Sequence, residues 1–119
     1  AITNLTTALG TIPKVYAFIA NQTGTNAPVM TIAKNTLGGT VVWTRDSTGQ
    51  YTGTLAGAFP TDKTIVVTPY PSNGIDFAND SIKMLVNGTN NTLTITTTDG
   101  GAAADDMLSG AKFKVEVYP

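Results

Sequence analysis

The sequence predicts an all-β fold: an antiparallel β-sandwich of about eight strands, preceded by a short N-terminal helical or extended stalk segment. Composition points there first. The chain of 119 residues carries 22 Thr and a single Glu, Glu116, with Lys and Arg totalling seven. Thr, Val, Ile, Tyr and Phe suit a pleated, half-buried surface, and the straight-chain helix formers are scarce. Alternation points the same way. Phe113, Val115 and Val117 interleave with Lys112, Lys114 and Glu116, a period of two that places one set on each face of a strand. Finally, segments rich in Gly, Pro and Asn break the chain about every 10 residues, the rhythm of short strands joined by tight loops.

The elements follow in order. Lys14 to Ala20 is a strand bounded by Pro13 and by Asn21-Gln22-Thr23-Gly24. Pro28 to Ala33 is a second, opened by a proline that suits a first strand position. Thr40 to Arg45 is the third, after the turn-rich Asn35-Thr36-Leu37-Gly38-Gly39. Asp46-Ser47-Thr48-Gly49 reads as a hairpin loop with Gly where positive φ is needed, returning as Gln50 to Leu55. Lys63 to Tyr70 is the fifth strand, with Ile65 and Val67 on one face and Val66 on the other. Ser81 to Val86 and Thr92 to Thr98 flank the loop Asn87-Gly88-Thr89-Asn90-Asn91, and Ala111 to Tyr118 closes the series. Ala102 to Leu108 is the one stretch expected to form a helical turn. The expected core is Val15 or Tyr16, Ile32, Val41 or Trp43, Leu55, Ile65 with Val67, Leu85, Leu93 with Ile95, and the Phe113, Val115, Val117 face.

Residues 1–12 have a different pattern. Ile2, Leu5, Leu9 and Ile12 are spaced 3, 4 and 3, the a/d rhythm of a coiled coil. They read either as a loose apolar tail or as the end of a stalk that gathers several copies. Domain boundaries therefore fall at 1–12 for the stalk or linker and 13–119 for the sandwich. Beginning at Ala1 rather than Met, the chain reads as processed or as an excerpt.

Composition also narrows the chemistry. Cys and His are both absent, which removes thiol nucleophiles, disulfides, the commonest general base and the commonest metal ligand. A formal charge of −1 argues against a nucleic-acid partner, and no apolar run approaches the roughly 18 residues of a membrane span. No basic-then-apolar leader is read either. Ser47, Ser72, Ser81 and Ser109 have no His to build a triad and sit in no Ser-x-x-Lys context. The carboxylates Asp99, Asp105 and Asp106, and the cluster Asp76, Asn79 and Asp80, lack both a defined acid/base pair and a calcium-loop pattern. They are expected to shape turns. No catalytic residue, cofactor or metal is expected. Among aromatic residues, Trp43 beside Val41 and Val42 reads as core rather than as a sugar shelf. Tyr70, between Pro69 and Pro71, is the better exposed candidate, and with Asp76 and Asp80 it forms the expected surface-binding set. Five Asn-x-Ser/Thr triplets, at Asn4, Asn21, Asn79, Asn87 and Asn90, are what chance produces in so Thr- and Asn-rich a chain.

One further signal is a resemblance. Thr23-Gly24-Thr25-Asn26-Ala27-Pro28, Asn35-Thr36-Leu37-Gly38-Gly39-Thr40, Val42-Trp43-Thr44-Arg45, Tyr51 before Thr52-Gly53-Thr54-Leu55, and the closing Val115-Glu116-Val117-Tyr118-Pro119 stand in order along the chain. In these marks it resembles the C-terminal β-rich module of fibre-like virion proteins of Bacteroidota phages and prophages. The resemblance covers about two-thirds of the chain and is weaker from Thr61 to Gly110. It implies a non-enzymatic structural or adhesive part of an extracellular particle, a homotrimer touching other virion proteins and, at its tip, a host-surface glycan. It carries no functional residues over, because the shared motifs are turns and core. The alternative is a monomeric carbohydrate-binding or Ig-like domain of a bacterial surface or secreted protein, and an enzyme accessory domain ranks below both.

Overall fold

A computed structural model describes residues 12–70 and 80–119. Among the described residues there are nine strands: β1 (Lys14–Asn21), β2 (Val29–Asn35), β3 (Val42–Ser47), β4 (Gln50–Thr54), β5 (Thr64–Tyr70), β6 (Ser81–Val86), β7 (Thr92–Asp99), β8 (Ala102–Ala103) and β9 (Ser109–Val117). No helix occurs among the described residues. One sheet runs β2-β1-β9-β5 and the other β3-β4-β7-β6, with β8 added to β7, and every pairing is antiparallel. The two sheets pack face to face as a β-sandwich.

Alternation places the core. Along β1 the inward residues are Tyr16, Phe18 and Ala20, and along β9 they are Ala111, Phe113, Val115 and Val117. The second sheet answers with Tyr51, Met84, Leu93 and Ile95. Tyr16, Phe18 and Phe113 form an aromatic centre, with Phe18 stacked on Phe113 at 5.3 Å between ring centroids. Loop residues Leu37, Phe59 and Leu108 close the sandwich at its ends. Isolated in turn-rich segments, these three carry no alternation signal and were not anticipated.

Four expected core residues lie outside it. Ile65 and Val67 are exposed because β5 is held by register to β9: Val66 stands opposite inward-facing Val115, while Ile65 and Val67 stand opposite Glu116 and Lys114. Directly opposed residues share a face, so Val66 is the member that packs against the core. Leu85 faces out for the same reason. It pairs with Thr94, and its neighbour Met84 pairs with buried Ile95. Ile32 lies on edge strand β2, just past a register shift opposite Ala17 and Phe18, and is about half exposed. Leu55 and Trp43 are half-buried against the core rather than enclosed by it.

The expected helical turn at 102–108 is absent. Ala102 and Ala103 instead add a short strand against Asp99 and Thr98. Positive φ at Gly100, Gly101 and Asp106 bends the chain away from helical geometry on both sides. This raises the expected eight strands to nine. The other elements stand where alternation and turn residues place them, with their limits moved by one or two residues.

The registers also give the sandwich two distinct ends. Lys14, at the start of β1, pairs with Val117 at the end of β9, and Tyr118 N–H donates to Lys63 C=O at 2.8 Å. The entering and leaving segments thus share one end with the 55–63 and 87–91 loops, where Leu55 N–H meets Asn91 C=O. The opposite end gathers the 22–28, 48–49 and 100–108 loops together with Tyr70 and Asp80, which border the β5–β6 connection.

Candidate functional site

The densest polar arrangement lies at that opposite end, with Asp105 at its centre. Arg45, near the end of β3, grips the Asp105 carboxylate through Nε, at 3.2 Å from both oxygens, and through Nη2, at 2.7 Å from Oδ2. This forked contact suits the planar guanidinium. Gly49 N–H donates to Asp105 Oδ1 at 3.0 Å. The Tyr51 hydroxyl stands 2.7 Å from the same oxygen and 2.9 Å from Gln22 Oε1, and its one proton serves one acceptor at a time. Gln22, itself buried, accepts from Asp106 N–H and donates through Nε2 to the carbonyls of Gly24 and Asn26. Asp106 completes the circuit by accepting from Gly24 N–H.

Electrostatics follow from these contacts. The Arg45 hydrogen bonds, with those from Gly49 and Tyr51, hold the Asp105 carboxyl well below the usual carboxylate range. Burial, with the Asp105 charge beside it, pushes the Tyr51 phenol well above its ordinary value. Asp105 is thus a saturated, ionised acceptor, and Tyr51 a neutral donor at any physiological pH. Neither has the intermediate affinity that proton transfer near neutrality requires. The arrangement is a clamp tying the β3–β4 hairpin to the loop ahead of β9.

Gly49 is the tightest point of the clamp. Its φ is +66°, and a Cβ there would stand 2.4 Å from Thr97 C=O and 2.8 Å from Ala104 N. Those atoms are backbone, and Thr97 N–H also donates to Gly49 C=O at 2.8 Å, so they cannot withdraw cheaply. We expect Gly49→Ala to destabilise by about 2 kcal/mol, measured by denaturant titration, beyond the cost of positive φ alone. A loss within about 0.5 kcal/mol would show that the hairpin and the 100–108 loop are not locked together.

The candidates read from the sequence are placed as follows. Asp105 and Asp106 are adjacent, but their carboxylates serve different partners and do not form an acid/base pair. Asp80 is half-buried and accepts from Gly100 N–H at 3.3 Å, shaping a turn. Tyr70 pairs with Lys112 at the end of β5, so it shares an end of the sandwich with Asp80 but lies in the other sheet. Asp76 lies outside the described residues, as do Ser72, Ile2, Leu5 and Leu9. Ile12 is described and is 57% exposed. Ser81 Oγ is engaged with Thr98 Oγ1 at 2.6 Å. No group of three or more acidic residues capable of holding a metal occurs among the described residues.

Trp43 is held from within. Its ring lies 5.5 Å from Phe18 between centroids, and Nε1–H donates to the Tyr16 hydroxyl at 2.9 Å. Directly across the β3–β4 ladder is Gly53, whose missing side chain leaves room for the indole. Sequence reasoning did not find the Arg45–Tyr51–Asp105 clamp. Arg45 and Asp105 are 60 residues apart, and only the hairpin and the loop together bring them into contact.

Compared with known proteins, the chain matches no family model, no curated protein and no solved structure.

Proposed function

We propose that this chain is a non-enzymatic structural and adhesive module, the head of a fibre-like virion protein that works as a parallel homotrimer and touches a host surface with its free end. The observation that carries the reading is the polarity of the sandwich. Residues 12–14 and 117–119 enter and leave at one end, while the loops and the expected contact residues Tyr70 and Asp80 stand at the other. A head on a shaft needs that division between an attached end and a presented end. The exposed apolar residues Ile65, Val67, Val42 and Leu85 lie on the outer sheet faces, where neighbouring copies would cover them. Other virion proteins would meet the attached end.

A second reading, a monomeric carbohydrate-binding or Ig-like domain of a bacterial surface or secreted protein, is favoured by the completeness of the core. Tyr16, Phe18, Leu93, Ile95 and Val115 are fully enclosed by one chain alone. Light scattering at micromolar concentration separates the two. We expect a trimeric mass for the full chain and a weakened but surviving trimer once residues 1–12 are removed. A stalk so short is marginal by itself, and stable trimers draw on interfaces above about 2,000 Å². A monomeric mass for the full chain would overturn the trimeric head in favour of the monomeric domain.

A further inference from the structure

The loop that joins β6 to β7 carries three asparagines, Asn87, Asn90 and Asn91, and they are held differently. Asn90 Oδ1 accepts from the Thr61 N–H at 3.1 Å and from the Thr61 hydroxyl at 2.9 Å. Asn91 Oδ1 accepts from the Gly57 N–H at 2.8 Å. Asn87 is exposed, and its side-chain amide has no hydrogen-bond partner among the described residues. It is followed by Gly88, whose N–H donates no hydrogen bond there either. Neither conformation nor space requires a glycine at 88. Its φ lies outside the left-handed region, and a Cβ would meet nothing within 4 Å.

We propose that Asn87–Gly88 is a self-modifying site, at which the chain converts its own asparagine through a cyclic imide and so loosens the attached end. Water is the one co-reactant. The Gly88 backbone nitrogen gives up its proton and attacks Asn87 Cγ. The Cγ–Nδ2 bond then breaks, and ammonia leaves with that proton. Water next adds to one of the two imide carbonyls, and the nitrogen regains a proton. Opening at Cγ gives aspartate in the ordinary chain. Opening at the main-chain carbonyl leaves the chain running through Cγ, an isoaspartyl link with an extra backbone atom. Either product adds one negative charge to a chain of net charge −1. Glycine at the attacking position has no Cβ to shield the nitrogen, and its backbone turns freely into the ring geometry. The other described asparagines lack one or both conditions. Asn21 Oδ1 accepts from Gly110 N–H, Asn35 is held by Leu37 and Gly39, and Asn26 precedes Ala27.

The loosening follows from what the same loop holds. Asn87 N–H closes the hairpin on Thr92 C=O at 3.1 Å. Inside that closure, Asn91 C=O accepts from Leu55 N–H at 2.9 Å, and Asn90 C=O accepts from Phe59 N–H at 3.0 Å. With the side-chain bonds to Gly57 and Thr61, these tie the 55–61 loop to the hairpin and seat the fully buried Phe59. An extra backbone atom between residues 87 and 88 alters the spacing of all these bonds at once. The site depends on this local chemistry and geometry, and it stands whether or not the chain is a fibre head.

The test is to age the full chain at mildly alkaline pH and follow each asparagine by peptide mapping with mass spectrometry. Isoaspartate methyltransferase labelling counts the isoaspartyl product, and isoelectric focusing reads the acidic shift. Mapping also keeps Asn87 apart from Asn73, another asparagine followed by glycine, which lies outside the described residues. Asn87 is expected to convert roughly tenfold or more faster than Asn21, Asn26, Asn35, Asn90 and Asn91. Gly88→Ala, which has room for its Cβ, should slow the conversion by a similar factor. Aged wild type should unfold at a lower denaturant concentration than fresh protein, by a margin that aged Asn87→Gln does not show. Conversion of Asn87 no faster than that of the other described asparagines, or indifference to Gly88→Ala, would overturn the site. Conversion with an unchanged unfolding midpoint would overturn the loosening.

Discussion

Replacing Trp43 by Ala is expected to cost about 3 kcal/mol in a denaturant titration, the lower end of the range for removing a large aromatic from a core, because the indole is half-buried. The loss has three sources. The indole contact with Phe18 disappears, and the Tyr16 hydroxyl loses its donor inside an environment that already raises its pKa by burial. A void also opens over Gly53, which has no side chain to fill it. The reciprocal change tests the same packing from the other strand. A Cβ on Gly53 would stand 2.7 Å from two indole ring carbons, so Gly53→Val should displace the ring and destabilise as well. A loss below about 1 kcal/mol for Trp43→Ala would instead mark the indole as a surface group and revive its reading as a sugar shelf.

Asp105→Ala is expected to destabilise by about 3 kcal/mol at neutral pH, because it leaves the Gly49 N–H without its acceptor and the Arg45 guanidinium without its counter-ion, while the Tyr51 hydroxyl keeps only Gln22 Oε1. The pH dependence is the more specific signature. The folded-state pKa of Asp105 lies well below that of an unfolded Asp, so the unfolded chain binds this proton more tightly. Its contribution is therefore present in full above the ordinary Asp value of about 4 and declines as pH falls below it, toward the folded value. Stability of the wild type and of Asp105→Ala should differ most at neutral pH and converge in acid. Glu116 adds a weaker effect of the same sign, since the Tyr118 hydroxyl and then Lys114 lower its pKa at a partly exposed site. A wild-type-to-variant difference that stays constant from pH 7 to pH 2 would refute the clamp as an ionic device.

The two experiments probe opposite kinds of information. Trp43 was legible as core from its neighbours Val41 and Val42, and the hairpin that folds Gly53 beneath it was legible from Thr48-Gly49. The clamp was not legible, because nothing local marks Asp105 as different from Asp106. Their separate roles arise from a positive φ at Asp106, which turns its carboxylate toward Gly24 while Asp105 faces Arg45.

Sequence alone specified the all-β class, the position of nearly every strand and most of the inward face of β7 and β9, while for β1 it left Val15 and Tyr16, on opposite faces, both open. Those depend on local quantities: alternation, turn residues and the shortage of helix formers. It also ruled out thiol and imidazole chemistry, since the residues are missing altogether. Tertiary structure alone decided which face of an ambiguous strand turns inward. Thr64–Tyr70 offers apolar residues on both faces, and only its register against β9 selects Val66 over Ile65 and Val67. Tertiary structure alone also brought Arg45 to Asp105. Such a meeting depends on pairings between distant segments, and strand periodicity, which repeats every two residues, holds no record of it.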